Sequence, residues 1–445
     1  MSTVLAAHNG TPGTLAAPAW LALSLRERHW RLRTGELDAR AWAEDSDRWA
    51  RSADERYQAC AELRPVAPDA GSIRIGVKDT VDATGFATRL GPPGYRRYPD
   101  RSAAVLRDVP AAAVVAKVAT AQLGLGLGTP CANPRFPHLS PSGSSTGSAV
   151  AVAAGICDLT VGTDSTGSIR LPASACGVTG LRLTHDPGRL EGILPLCPMI
   201  DSPGWLARTP DDLAFAWNEL RLGARVPAPG RRYRIGVPDG LRADGCLPRI
   251  VDELDRVAAR LAAAGHTVTR VDIADLLPWR QAVWELVAYE AGRHQAELAA
   301  RLGAEVSASV HSAYGFGRAL GDERLAAVCE ALVRVRAGAA ARFERAGVDA
   351  WLLPTTSRYP GPAGAPADET ISTIPDFDDP AVVAGLGYAT VASFAGLPAI
   401  TVPAAVDTDL NAPISVQLIG PPNSEAALLD AAREVAAAAD GKEFP

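Results

Sequence analysis

The sequence lacks several features that would assign it to a specialised class of protein. No apolar run approaches the ~20 residues of a membrane-spanning helix. The opening MSTVLAAHNGTPG lacks the charged and apolar regions of a secretory signal. The seven cysteines are scattered, with no Cys-x-x-Cys pair, which argues against both a disulfide framework and a zinc site. We therefore expect a cytoplasmic protein that does not bind membranes.

The chain also carries little net charge of either sign. Its formal net charge is −6 over 445 residues, and no run of lysine and arginine is long enough to follow a phosphate backbone. Nucleic acid is therefore not the expected ligand. The densest basic stretch, RERHWRLR, is predicted to be an amphipathic helix whose Leu25 and Trp30 face the core.

Hydrophobic periodicity divides the chain into four predicted regions. These are two N-terminal helices in 1–64, a core of short strands and Gly/Ser-rich turns in 65–204, a largely helical insertion in 205–346, and further buried strands in 347–445. Within the core, residues 103–128 are predicted to form a helix, a short strand and a second helix. The insertion contains a predicted strand–helix–strand unit from YRIGVPDG to HTVTRVDI, and residues 361–380 are predicted to form a surface loop.

The stretch PSGSSTGSAV, residues 141–150, places four serines and two glycines directly before an apolar segment. A flexible linker would continue in low-complexity sequence, and a phosphate-binding loop would place a lysine where Ser148 stands. Residues 143–147 match the Gly-x-Ser-x-Gly nucleophile elbow, with Ser145 in the middle. That elbow needs a preceding strand, whereas PRFPHLSPS contains three prolines, so this interpretation is disfavoured.

Two further stretches accompany the serine-rich one. The residues before Lys78 alternate as a buried strand, and GTDSTGSIRLP, residues 162–172, forms a second turn rich in glycine and serine. A lysine at a strand end is usually a surface charge, and a Ser/Gly turn is usually only a turn. Each stretch alone is therefore weak evidence of chemistry, but all three occur in order, with Ser144 and Ser168 separated by 24 positions.

In combination, these stretches resemble the motifs of the amidase signature family, which read like GGSSGGS and GTDTGGSIRxPA with an upstream Val-Lys-Asp. The resemblance continues through DSPGWLART, LLPT, FAGLPAITVP and SVQLIGPP, from about Leu25 to Ala432. It implies a single α/β domain with a twisted mixed β-sheet flanked by helices on both faces. It also implies hydrolysis of a C–N amide bond in a small substrate, without a cofactor or metal.

Carried over to this chain, the resemblance makes Ser168 the nucleophile, Ser144 the proton relay and Lys78 the general base. The acyl group would pass through an acyl-enzyme on Ser168. The resemblance also implies a cis peptide between Gly143 and Ser144. This assignment is chemically consistent, because a serine hydroxyl needs a base and a lysine can serve once burial lowers its pKa.

The turn before the nucleophile is expected to stabilise the negative charge of the transition state. The backbone N–H groups of Ser165, Thr166 and Gly167 are predicted to point at one spot and form an oxyanion hole. Asp164 and Arg170 bracket this turn and are predicted to pair with each other and hold it.

Several positions depart from the family pattern. Glycine is usual where this chain has Ser142, Thr146 and Thr166, and many members have glutamate where it has Gln122. The larger loop residues resemble the allophanate-hydrolase branch. Thr166 is predicted to keep an ordinary φ, because a β-branched residue is strained at positive φ. Ser145 is predicted either to cap the following helix or to support Ser144.

Two other functions remain compatible with these motifs. An acyltransferase of a biosynthetic pathway would form the same acyl-enzyme and pass the acyl group to an amine. A glutaminase-like subunit of a tRNA-dependent amidotransferase would work only with partner subunits, and the substituted glycines make it the less favoured alternative. For a free amidase the expected partner is the small amide alone, and the sequence is compatible with a homodimer.

Overall fold

The computed structural model describes residues 16–67, 71–125, 128–364 and 387–439. The strands in these ranges are β1 Cys60–Leu63, β2 Ile75–Lys78, β3 Val114–Val118, β4 Leu159–Asp164, β5 Thr179–Arg182, β6 Ser202–Ala207, β7 Arg234–Pro238, β8 Thr267–Val271, β9 Ala350–Pro354, β10 Ala399–Asp407 and β11 Ala412–Ile419. The helices are α1 Leu25–Thr34, α2 Ala39–Tyr57, α3 Thr146–Ala153, α4 Arg170–Ala175, α5 Pro210–Glu219, α6 Pro248–Ala263, α7 Arg280–Leu302, α8 Ala308–Ala319, α9 Asp322–Ala337, α10 Ala339–Ala346, α11 Ala389–Ala395 and α12 Glu425–Ala438.

These strands form a single mixed sheet in the order β1-β3-β2-β4-β6-β5-β10-β11-β9-β7-β8. β2 is parallel to β3 and β4, and β7 is parallel to β8 and β9, whereas β6 and β10 pair antiparallel with their neighbours. Every residue of β2, β5, β6 and β11 is buried, which requires cover on both faces of the sheet. The predicted α/β class with a mixed sheet between helices is confirmed.

Strand direction brings the motif residues to one edge of the sheet. β2 and β4 are parallel, and β5 runs in the same direction because both β4 and β5 pair antiparallel with β6. The carboxyl ends of these three strands carry Lys78, Asp164 and Arg182, respectively. The turns that follow them therefore meet at the same edge.

Helix α1 buries a different side chain from the one predicted. Leu25 is buried as expected, but Trp30 is 53% exposed, so its inward orientation was wrongly predicted. The buried position is taken by Arg28, which lies 2.7 Å from the carboxylate of Asp158 and donates to the carbonyl of Ser72. A charged residue can be buried when it is paired, and the partner here lies far along the chain, beyond the reach of local periodicity.

The predicted helices within 103–128 are absent from the described part of that segment. The chain forms short 3₁₀ turns at Ala104–Leu106, Ala111–Ala113 and Gln122–Gly124 around β3. Pro110 disfavours helical geometry at the preceding residue, and β3 pairs with both β1 and β2. Strand pairing thus overrides the helical propensity of this alanine-rich segment.

The strand–helix–strand unit of the insertion is confirmed as β7, α6 and β8, with the two strands parallel. Of the predicted surface loop at 361–380, residues 365–380 lie outside the described residues. Among the described helices, none combines the length and the apolar character needed to cross a membrane.

Candidate active site

The amine of Lys78 lies at the centre of a cluster of hydroxyl groups. Lys78 ends β2 and is fully buried. Its Nζ lies 2.9 Å from Ser144 Oγ, 3.0 Å from Ser145 Oγ and 2.8 Å from Thr163 Oγ1. The three hydroxyl oxygens can accept the three N–H donors of an ammonium. Because a hydroxyl can also donate, the lone pair of a neutral amine finds a partner here as well.

Burial gives this amine an unusual pKa. Removal from water lowers the pKa of Lys78 from 10.5 to about 7, although the negative charges of Asp164 and Asp201 oppose the change. At pH 7 an amine of pKa 10.5 would be neutral in only about one molecule in three thousand. With a pKa of about 7, about half of the molecules carry a neutral amine that can accept a proton.

The peptide between Gly143 and Ser144 is cis, as expected. The carbonyl of Ser144 accepts hydrogen bonds from Thr120 Oγ1 at 3.2 Å and from the N–H of Ala121 at 3.3 Å. The segment that follows β3 therefore holds the backbone of Ser144 directly.

The two departures from glycine in the first loop contact each other. Ser142 has a φ of 61°, in the left-handed region where glycine is favoured. Its carbonyl accepts a hydrogen bond of 2.7 Å from Thr146 Oγ1 in the first turn of α3. Thr146 thus supports the backbone at the position where Ser142 replaces glycine.

Ser145 does not cap α3, so that alternative of the prediction is wrong. The Ser145 side chain makes no capping hydrogen bond, and its hydroxyl instead donates to the carbonyl of Thr163 at 3.1 Å. The same oxygen lies 3.0 Å from Lys78 Nζ. Ser145 therefore links the amine to the end of β4.

Ser168 follows a tight turn at the end of β4 and is 7% exposed. Its carbonyl accepts a hydrogen bond of 3.1 Å from the N–H of Ser145, which joins the two serine-rich loops. Gly167 has a φ of 118°, and an added Cβ would lie 2.8 Å from the Cβ of Ala389, so the turn requires glycine there. The ordinary φ predicted for Thr166 is confirmed, because that residue is not at positive φ.

The backbone amides of this turn do not all face the same way. The N–H of Gly167 donates to Asp164 Oδ1 at 3.0 Å, so its acceptor differs from the predicted one. An aspartate readily accepts such a bond from a nearby backbone N–H in a turn. The N–H groups of Ser165 and Thr166 have no acceptor among the described residues. The N–H groups of Ser165 and Thr166 therefore remain the predicted donors to an oxyanion.

Asp164 forms a buried ion triad with Arg170 and Arg182 that holds the turn in place. The predicted pairing of Asp164 with Arg170 is confirmed by two hydrogen bonds, of 2.9 and 3.0 Å. Arg182 also pairs with Asp164, at 3.2 Å. All three side chains are fully buried. Burial alone would raise the pKa of Asp164, but the two arginines outweigh it and hold that pKa well below its usual range.

Sequence reasoning missed three residues of this region. Thr163 contacts Lys78, Arg182 completes the ion triad, and Asp201 accepts a hydrogen bond of 2.5 Å from Ser165 Oγ. Burial raises the pKa of Asp201. Thr163 and Asp201 lie within the quoted stretches GTDSTGSIRLP and DSPGWLART, so closer attention to their polar residues could have found them. No local signal marks Arg182.

Replacing Thr163 by valine should shift the pH dependence of activity. The change removes an acceptor that stabilises the ammonium of Lys78, so the pKa of Lys78 should fall further. The acidic limb of the pH–rate profile should therefore move to lower pH by about one unit. Rate measurements from pH 5 to 9 would test this. Thr160→Val, on the same strand but bonded to Ser148 O, is the control and should keep the wild-type midpoint. A midpoint that moves to higher pH in Thr163→Val would contradict the argument.

One cavity of the protein lies away from these residues. It has a volume of about 250 Å³ and is lined by residues that include Tyr233, Phe343, Asp349 and Leu428, with none of the motif residues at its wall. In the described ranges, no three side chains of the His, Cys, Asp and Glu types are grouped as metal ligands.

The mixed sheet brings a buried lysine and two serine-rich turns to one edge, together with two backbone amides that have no acceptor among the described residues. This arrangement is typical of an enzyme. The chain belongs to the amidase family, whose sequence model matches residues 37–429. The chain is a hydrolase that acts on carbon–nitrogen bonds other than peptide bonds.

Individual relatives agree with this membership. The chain is 33% identical to 2-amino-5-chloromuconic acid deaminase of Comamonas testosteroni, over 71% of this chain and 70% of the relative. It is 31% identical to the putative amidase AmiA2 of Mycobacterium tuberculosis, over 85% and 82%. A crystal structure of an amidase superposes with a TM-score of 0.79 at 26% identity, covering 94% of this chain and all of the other.

Proposed function

We propose that the protein cleaves the amide bond of a small substrate through an acyl-enzyme on Ser168, with Ser144 as proton relay and Lys78 as base. The observation that carries this proposal is the fully buried amine of Lys78, 2.9 Å from the hydroxyl of Ser144. A lysine that only needed its charge would not be buried among neutral hydroxyl groups.

The hydrogen bonds around Lys78 suggest the direction of proton transfer. A neutral amine has two N–H donors and one lone pair. The hydrogen of Ser145 is directed to the carbonyl of Thr163, so Ser145 Oγ accepts from the amine. With Thr163 Oγ1 as the second acceptor, the lone pair faces Ser144.

The reaction then proceeds in two halves. As Ser168 Oγ attacks the carbonyl carbon, it would form a hydrogen bond to Ser144 Oγ that is not present among the described residues. Along that bond its proton passes to Ser144 Oγ while the Ser144 proton passes to Lys78 Nζ. The C–N bond breaks and the leaving nitrogen takes a proton back through the same relay. Water then attacks the acyl-enzyme, which releases the acid and restores Ser168. The amides of Ser165 and Thr166 would bind the oxyanion in both halves.

The relatives support a small substrate. One is named for the deamination of a muconic acid derivative and another for amidase activity, so we propose ammonia or a small amine as the leaving group. We further propose that the enzyme acts in the cytoplasm and without partner subunits. An acyltransferase would share the acyl-enzyme, and adding a second amine separates the two, since only a transferase would favour amide over acid as its product.

Covalent labelling tests which serine reacts. A fluorophosphonate should phosphonylate Ser168 with loss of fluoride, and mass spectrometry of the labelled peptide should place the adduct there. In Ser144→Ala the label should stay on Ser168 but form at least about a hundredfold more slowly, because the proton must then reach Lys78 through water.

Ser145→Ala serves as the matched control, since Ser145 is adjacent and bonds the same amine. This variant should still be labelled on Ser168. A label on Ser145 in the wild type would support the nucleophile-elbow interpretation and overturn the proposed mechanism.

A further inference from the structure

Two glutamines fasten the helical insertion to the segment that holds Ser144. Gln122 Nε2 donates to the carbonyl of Glu305 at 3.0 Å, and its Oε1 accepts from the N–H of Ser307 at 2.8 Å. A glutamate at position 122 could not donate to the carbonyl of Glu305, so an amide suits this position of the chain.

The second glutamine, Gln295 on α7, is fully buried and uses its whole amide. Its Nε2 donates to the carbonyl of Leu123 at 3.2 Å and to the carbonyl of Pro195 at 2.8 Å. Its Oε1 accepts from the hydroxyl of Tyr314 on α8 at 2.9 Å. A buried amide with every group satisfied fixes its partners firmly, because losing one bond leaves a buried polar group unpaired.

The first of those carbonyls belongs to the segment beside the relay serine. Leu123 lies two residues after Ala121, whose N–H binds the carbonyl of Ser144. Leu123 itself has a φ of 53°, which is unusual for a residue with a side chain. Such a conformation persists only where surrounding contacts determine it, and the bond from Gln295 is one of those contacts.

The second carbonyl belongs to the loop beside the nucleophile turn. Pro195 precedes Leu196, whose N–H donates to the carboxylate of Asp201 at 3.0 Å. The same carboxylate accepts from Ser165 Oγ, at the start of the turn that carries Ser168. One side chain of the insertion is thus bonded to both loops that frame the candidate site.

We infer that Gln295 is a positioning residue, which sets the separation of Ser144 from the nucleophile turn and so makes the helical insertion part of the catalytic apparatus. This inference rests on the proposed function. Gln295 touches no reacting atom. It acts through the carbonyls of Leu123 and Pro195. A displacement of the reacting groups by about 1 Å is enough to slow a reaction up to a hundredfold, even when the mutated residue lies far from them.

The test measures the rate of fluorophosphonate labelling and its pH dependence in Gln295→Met, which keeps the length of the side chain and removes its hydrogen bonds. The rate constant should fall about tenfold to a hundredfold, while the midpoint of the pH profile stays at the wild-type value because Lys78 keeps its contacts. Gln281→Met, on the same helix, is the matched control and should label at the wild-type rate, because the Gln281 side chain donates to Glu285 and not to either loop among the described residues.

Tyr314→Phe keeps the test decisive if Gln295→Met fails to fold. It removes only the bond to Gln295 Oε1 and should slow labelling about two- to tenfold. Wild-type labelling rates in the folded variants, with only a lower melting temperature, would make the role structural and overturn the inference. A wild type that does not label at Ser168 would instead overturn the proposed function, so the two failures are distinguishable.

Discussion

Replacing Ser168 by alanine should abolish turnover, with a loss of at least about a thousandfold in kcat/KM for any amide the enzyme accepts. Alanine has no hydroxyl to form the acyl-enzyme, and removal of a catalytic nucleophile leaves only what binding and the oxyanion donors contribute. The fold should survive, because the Ser168 hydroxyl has no hydrogen-bond partner among the described residues. Hydrolysis assays on a panel of small primary amides, with thermal unfolding of both proteins, would measure the two effects separately.

Ser148→Ala is the matched control for this substitution. Ser148 is also buried, in α3 shortly after Ser144, but its hydroxyl donates to the carbonyl of Val161. The control should lose some stability and keep its activity per folded molecule. If Ser168→Ala kept more than a few per cent of the wild-type rate, another residue would be the nucleophile.

The proposed catalytic trio could be predicted from sequence because its members lie in short stretches of unusual composition. Lys78 ends an alternating strand, and Ser144 and Ser168 lie in two Ser/Gly-rich turns that occur in a fixed order. Such short motifs can be recognised without the structure, because glycine and serine are the residues that the backbone geometry of these turns favours.

What escaped prediction depends on contacts between distant parts of the chain. Arg28 is buried because Asp158 lies beside it. The bond from the N–H of Gly167 to Asp164 is an exception, because those two residues are only three positions apart. Gln295 has no motif at all, and its importance follows only from the two loops that the fold brings to it. Periodicity and propensity describe neighbours along the chain, so such pairings emerge only in three dimensions.

The depressed pKa of Lys78 also predicts how activity should vary with pH. As the proposed base, Lys78 can accept a proton only when its amine is neutral, and the neutral fraction rises with pH through a midpoint at about 7. We therefore expect kcat/KM to fall about tenfold per pH unit below the midpoint and to level off about one unit above it. With an ordinary pKa of 10.5, the rise would instead continue into the alkaline range.

Lys78→Ala should remove this pH dependence together with most of the rate. The loss should be about a hundredfold to ten-thousandfold even at pH 9, because water in place of the amine is a far weaker base. Lys117→Met is an informative contrast, since Lys117 is equally buried on the next strand but faces Asp79 at 3.6 Å instead of the serines. That variant should be less stable, because the buried Asp79 loses its ion-pair contact with Lys117, yet its folded fraction should keep the wild-type midpoint. A midpoint that disappears in Lys117→Met and persists in Lys78→Ala would show that the wrong lysine has been assigned as the base.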